Sequence, residues 1–158
     1  MLAKLSVILA LFVGVSLGLA PDCKVVPETG KDCCTSLPDY ESKKIADECN
    51  AELKIKEPEE FALSCELITC LMKKNNHLTS DNKIDKEAFT KYVKMNMTEW
   101  SPTIETSLQK CYTQSETAKC IPRTFLICAT ITLTKECPTA SWLKTEECTT
   151  LKTFFDSC

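Results

Sequence analysis

The chain has 158 residues, 12 cysteines, 3 glycines and a formal net charge of −3. Gly14 and Gly18 fall before Pro21, in a stretch without cysteine, so Gly30 is the one glycine of the remainder. That scarcity excludes Rossmann and P-loop nucleotide folds and disfavours small disulfide-rich β scaffolds, all of which need glycine at tight turns, and interspersed charge with no basic block excludes electrostatic binding of nucleic acid.

Lys4 is the only charge in residues 1–20, Leu5 to Leu19 is almost wholly apolar, and Ser16, Gly18 and Ala20 are small. This is the build of a secretory signal peptide. Cleavage after Ala20 would leave Pro21 first, which makes a cut after Gly18 the competitor. A membrane anchor would need about 20 apolar residues, more than this run offers, and no later run approaches that length. Residues 21–158 are therefore expected as one secreted, disulfide-rich domain without membrane insertion. All 12 cysteines lie in it, roughly 9 per cent of its residues, a density at which disulfide scaffolds begin and which belongs to an oxidising compartment.

The predicted elements are helices joined by polar loops. Ser36-Leu37-Pro38 offers a cap and a first-turn proline for a helix carrying Tyr40, Ile45, Cys49 and Leu53. Pro58 with Glu59 and Glu60 starts a stronger one, because acidic side chains suit the positive helix end. Phe61, Cys65, Ile68 and Met72 follow at helical spacing, and Leu63, Leu67 and Leu71 widen the apolar face. Asn75 to Asn82 is turn chemistry. Asp85 caps the next helix, with Ile84 and Phe89 as a hydrophobic staple and Tyr92, Val93 and Met97 continuing the face. Ser101-Pro102 opens a helix with Ile104, Leu108, Cys111 and Tyr112, and Pro122 one with Phe125, Ile127, Cys128 and Ile131. Thr130 to Thr134 alternates like a strand but has no partner strand, so it is read as helix. Leu151, Phe154, Phe155 and Cys158 share a face of a C-terminal helix preceded by a turn around Trp142. The fold class is all-α.

Catalytic chemistry is missing from the pattern. His77, the only histidine, lies in the polar turn and is expected at the surface, without the orienting partner that a nucleophile pair needs. A hydrolase acting through His77 is thus the weakest reading, and pH-driven release through one surface histidine is disfavoured. Cys33-Cys34 is followed by Thr35-Ser36-Leu37, not by the His-Asp pair of secreted phospholipases. No Cys-x2-Cys pair suggests zinc. In Asp81-Asn82-Lys83-Ile84-Asp85 a lysine replaces a calcium ligand, and the central glycine is absent. No cofactor or metal is expected. The Cys-x-Cys of plant lipid-transfer proteins is also lacking. Asn96-Met97-Thr98 is a glycosylation sequon.

The C-terminal half beats regularly: Cys111-x8-Cys120-x7-Cys128-x8-Cys137-Pro138-x9-Cys148-x9-Cys158. Upstream stand Cys23, Cys33-Cys34, Cys49 and Cys65-x4-Cys70. With the spacings Cys34-x30-Cys65 and Cys70-x40-Cys111 and the Cys137-Pro138 element, the chain resembles the insect odorant-binding proteins, specifically their plus-C subgroup. The resemblance implies a compact disulfide-stapled bundle of about six to eight helices around a hydrophobic cavity. It also implies six core cysteines at Cys34, Cys65, Cys70, Cys111, Cys128 and Cys137, bridged Cys34–Cys70, Cys65–Cys128 and Cys111–Cys137. Cys23, Cys33, Cys49, Cys120, Cys148 and Cys158 would then form three more bridges. The family usually keeps three residues between its second and third cysteines. Four separate Cys65 from Cys70, about 140° of helical turn, so either the helix is over-wound there or the pairing differs.

The function so implied is a secreted carrier of small hydrophobic ligands, odorant- or pheromone-like, in extracellular fluid. A sensory receptor or a second copy of the chain would be its protein partner. Ile68, Met72, Phe89, Val93, Met97, Trp100, Leu108, Phe125 and Ile131 are the candidate lining residues, with Tyr92 or Tyr112 orienting a polar end. The same residues also suit an ordinary filled core. The alternative is accordingly a secreted cysteine-rich interaction, defence or salivary protein.

Overall fold

A computed structural model describes residues 30–37, 42–55, 64–97 and 101–157. The leader, Cys23, Pro58–Glu60, Trp100 and Cys158 lie outside those residues. Among the described residues, seven α-helices run α1 (Gly30–Cys33), α2 (Lys43–Leu53), α3 (Cys65–Lys74), α4 (Lys86–Asn96), α5 (Pro102–Ser115), α6 (Ile121–Lys135) and α7 (Glu146–Ser157). A short 3-10 turn, Thr139–Ser141, precedes α7. No strand forms among the described residues beyond two isolated bridges, Cys34 with Trp142 and Leu78 with Ile84. Thr130 to Thr134 is helical, inside α6.

The local signals act where the sequence places them. Asp85 accepts from the Ala88 amide at 2.9 Å, and Ile84 and Phe89 are both buried in one cluster. Ser101 accepts from the Ile104 amide at 3.3 Å, with Pro102 in the first turn, where its missing N–H has no cost. Two helix starts differ from expectation. α2 begins at Lys43 rather than at Ser36, which is buried in a turn. α3 begins at Cys65 under a Ser64 cap, the Ser64 hydroxyl accepting from the Leu67 amide at 3.2 Å. Side-chain capping ends a helix firmly, so Pro58 does not start the same unbroken helix as Ile68 and Met72.

α5 and α6 form a hairpin whose α6 packs on α3, while α3 packs on α2 and α7 packs on α6 and α1. α4 is tied to α5 by hydrogen bonds and by a Lys94–Glu105 ion pair at 3.2 Å. The main core gathers Leu67, Ile68, Leu71 and Met72 of α3, Phe89 and Val93 of α4, Ile104, Leu108 and Tyr112 of α5, and Phe125, Ala129 and Leu133 of α6. A second, smaller core of Cys33, Cys148, Leu151 and Phe155 joins α1 to α7. No described helix is long and apolar enough to cross a membrane.

All ten described cysteines are bonded: Cys33–Cys148, Cys34–Cys137, Cys49–Cys70, Cys65–Cys120 and Cys111–Cys128. The three implied bridges, Cys34–Cys70, Cys65–Cys128 and Cys111–Cys137, are therefore corrected. Their connectivity survives in another register. Counted from Cys49, the cysteines Cys49, Cys65, Cys70, Cys111, Cys120 and Cys128 pair first to third, second to fifth and fourth to sixth. Cys49 and Cys120 belong to the core set in place of Cys34 and Cys137. The four-residue gap follows from this pairing. α3 is regular α-helix across both positions. The rotation between them, about 140°, sends Cys65 towards the start of α6 while Cys70 faces α2. Peptide mapping of the oxidised protein is expected to recover these five bonds, and a Cys34–Cys70 or Cys111–Cys137 peptide would restore the other register.

Candidate ligand-binding site

Of the eleven residues expected to meet a ligand, eight lie in the main core. Ile68, Met72, Phe89, Val93, Met97, Leu108, Tyr112 and Phe125 are all buried, Phe89, Val93 and Phe125 completely. Tyr92 is half-buried against the same cluster. Ile131 is not part of it and packs on the second core beside Cys148 and Phe155. The six-residue step from Phe125 rotates the helix by about 600°, which turns Ile131 well away from that ring. Trp100 lies outside the described residues.

The centre of the group is aromatic. Phe125 stacks on Tyr112, with ring centroids 4.8 Å apart and planes 7° from parallel. Phe89 meets Phe125 edge-on at 4.7 Å. Quadrupole electrostatics favours these geometries and adds to the burial term. The Tyr112 hydroxyl is engaged within the protein: it donates to the Lys86 carbonyl at 3.2 Å and lies 3.0 Å from the Thr90 hydroxyl. Burial pushes the phenol pKa up, against the Thr90 hydrogen bond. With its O–H directed at the Lys86 carbonyl, the Tyr112 oxygen is left as an acceptor, one of whose lone pairs the Thr90 hydroxyl can take.

His77, expected at the surface, is instead only 6% exposed. Its ring meets Phe89 edge-on at 5.3 Å and leans on Tyr92 at 4.8 Å. The turn itself carries it inward. The His77 amide donates to the Met72 carbonyl at 2.8 Å and its carbonyl accepts from the Asp85 amide at 2.9 Å, so both ends are locked to helices that feed the core. Nearby, Asp81 pairs with Lys83 at 2.7 Å. That ion pair and hydrogen bonds hold the Asp81 carboxyl down at about 2, as befits a turn brace. Every described cysteine is oxidised, so none is a thiol nucleophile for His77.

Burial lowers the His77 pKa below 6.5, with the Asp85 charge opposing it. The folded state thus binds fewer protons than the unfolded chain just below 6.5. The stability due to neutral His77 is complete above that value and is lost as pH falls through the lowered folded value. Urea midpoints are expected to drop between about pH 7.5 and about pH 5, and less steeply in His77→Leu. An identical acid loss in both proteins would remove His77 from the account.

The site lies on α3 to α6, and the bridges that tie α2 to α3, α3 to the start of α6, and α5 to α6 follow the first–third, second–fifth, fourth–sixth order. Over 161 aligned residues the chain is 28% identical to general odorant-binding protein 68 of Anopheles gambiae, an alignment covering 87% of this chain and 76% of the relative. The likeness supports the insect odorant-binding family. No protein-family model matches the chain, and no solved structure does. The similarity spans nearly the whole chain, and the all-α, disulfide-stapled bundle agrees with it.

Proposed function

We propose that this protein is a secreted carrier of small hydrophobic ligands, odorant- or pheromone-like, belonging to the plus-C odorant-binding proteins. One observation carries the reading: the likeness to an odorant-binding protein over 87% of the chain, with three bridges in the family's order tying α2, α3, α5 and α6 around the candidate lining. Five disulfides among the described residues suit an extracellular fluid, to which residues 1–20 would deliver residues 21–158 as one domain. The chemistry is apolar burial, at about 25 cal/mol per Å². Phe89, Phe125 and Met72 would supply the surface, and the acceptor of Tyr112 or the hydroxyl of Tyr92 a polar contact. No catalytic step is assigned. A sensory receptor or a second copy of the chain is the protein partner in this reading.

Displacement of a fluorescent apolar probe tests the proposal. Oxidised protein is expected to bind such a probe and release it to a volatile aromatic or aliphatic competitor. No binding across a broad panel would overturn the carrier in favour of a filled-core interaction or defence protein.

A further inference from the structure

We infer that Asn96 carries an N-linked glycan, placing a modification site at the junction of α4 and α5. Asn96-Met97-Thr98 is the only Asn-x-Ser/Thr triplet in the chain. The acceptor is presented to solvent: Asn96 is the last residue of α4 and is exposed, whereas Met97 turns inward and is buried. Met97 is extended, with φ −94° and ψ 129°, so α4 ends at the acceptor; Thr98 lies outside the described residues. The sequon is read in the unfolded chain, so the fold need only tolerate the product. The disulfides supply the second, independent observation. Five bonds place the chain in the oxidising secretory route, where the modification takes place, so this inference rests on the extracellular reading above.

The donor would be an oligosaccharide linked to a lipid diphosphate. The Asn96 amide nitrogen attacks C1 of the first sugar, and the N–C1 bond forms as the C1–O bond to the diphosphate breaks. The lipid diphosphate leaves with the electron pair, and the amide loses one proton to the medium. The Asn96 amide donates to the Tyr92 carbonyl at 2.8 Å. A glycosylated amide keeps one N–H, enough for that bond. Beside it stands Met95, 68% exposed, which a glycan would shield from contact with other molecules.

The test is secretion of the full chain from insect cells, with mass measured before and after a glycosidase that leaves aspartate at the former sugar site. The expected result is a mass excess over the polypeptide, lost on treatment, with residue 96 then read as aspartate. Asn96→Gln and Thr98→Ala should remove the excess, and Thr98→Ser should keep it. Secreted protein at polypeptide mass overturns the glycan and leaves the carrier reading intact. Protein absent from the medium defeats the extracellular reading and the glycan with it. An excess that persists in Asn96→Gln also overturns the assignment to this residue.

Discussion

Removing the Cys33–Cys148 bridge by paired alanine substitution is expected to cost about 3 kcal/mol, as is removing Cys34–Cys137, whereas removing both should cost about 7 kcal/mol. The two bonds span 115 and 103 residues, and taken alone each would restrain a long loop. Cys33 and Cys34 are neighbours, however. While either bond stands, the other closes a loop of only about a dozen residues between Cys137 and Cys148, and loop entropy grows only with the logarithm of length. The second removal therefore frees the chain before α2 from α6 and α7 at once, and the losses exceed their sum. Alanine suits these sites because Cys33 and Cys34 are each 1% exposed and serine would bury hydroxyls. Denaturant midpoints of the two double variants and the fourfold variant measure the coupling. Strict additivity would show that the two bridges act on independent parts of the fold.

Phe125→Ala is expected to be the most damaging single truncation, at about 3–5 kcal/mol. The ring is fully buried, and its loss removes the stacked partner of Tyr112 and the edge partner of Phe89 together. Met95→Ala, at an exposed position on α4, should change stability by no more than about 0.5 kcal/mol. The comparison also bears on the ligand. A ring that borders an unfilled void has already forfeited contacts on that side, so the ligand surface proposed for Phe125 puts the loss toward the lower end of that range, and a loss below about 1 kcal/mol would show that the ring is not packed on Tyr112 and Phe89.

The parts of this molecule that can be read from sequence are those fixed by neighbours along the chain. Asp85 and Ser101 announce their helices because a cap needs only an oxygen three residues before an amide. The aromatic centre follows from helical spacing on α4, α5 and α6. The bridge register is not legible, and the reason lies in the beat of the cysteines. Cys111, Cys120, Cys128 and Cys137 recur at nearly even intervals, so the interval between the last two core cysteines is nearly the same for Cys120-x7-Cys128 as for Cys128-x8-Cys137. Which cysteines meet is then decided by how α2, α3 and α6 pack. His77 escapes sequence reasoning for a related cause. Its neighbours in sequence are polar apart from Leu78, but its partners Met72, Phe89 and Tyr92 arrive from helices on either side of the turn. Ile131 joins the main core on chemistry alone, whereas the pitch of α6 turns it to the other side.

Adjacent half-cystines also raise a problem of choice during oxidative folding. An isomer with Cys33 joined to Cys137 and Cys34 to Cys148 would enclose loops of almost the same lengths, so chain entropy does not select between the two. The short pairing beside the bridges does. Thr35 donates to the Ser141 carbonyl at 3.0 Å and Leu143 to the Cys33 carbonyl at 2.9 Å, and Cys34 is bridged to Trp142. Cys33 closes α1 and Cys34 enters the bridge, and this register holds Cys34 beside Cys137 and Cys33 beside Cys148. Two backbone hydrogen bonds, each worth roughly 1 kcal/mol, thus act as a proofreader that makes the swapped isomer the less populated product of disulfide exchange.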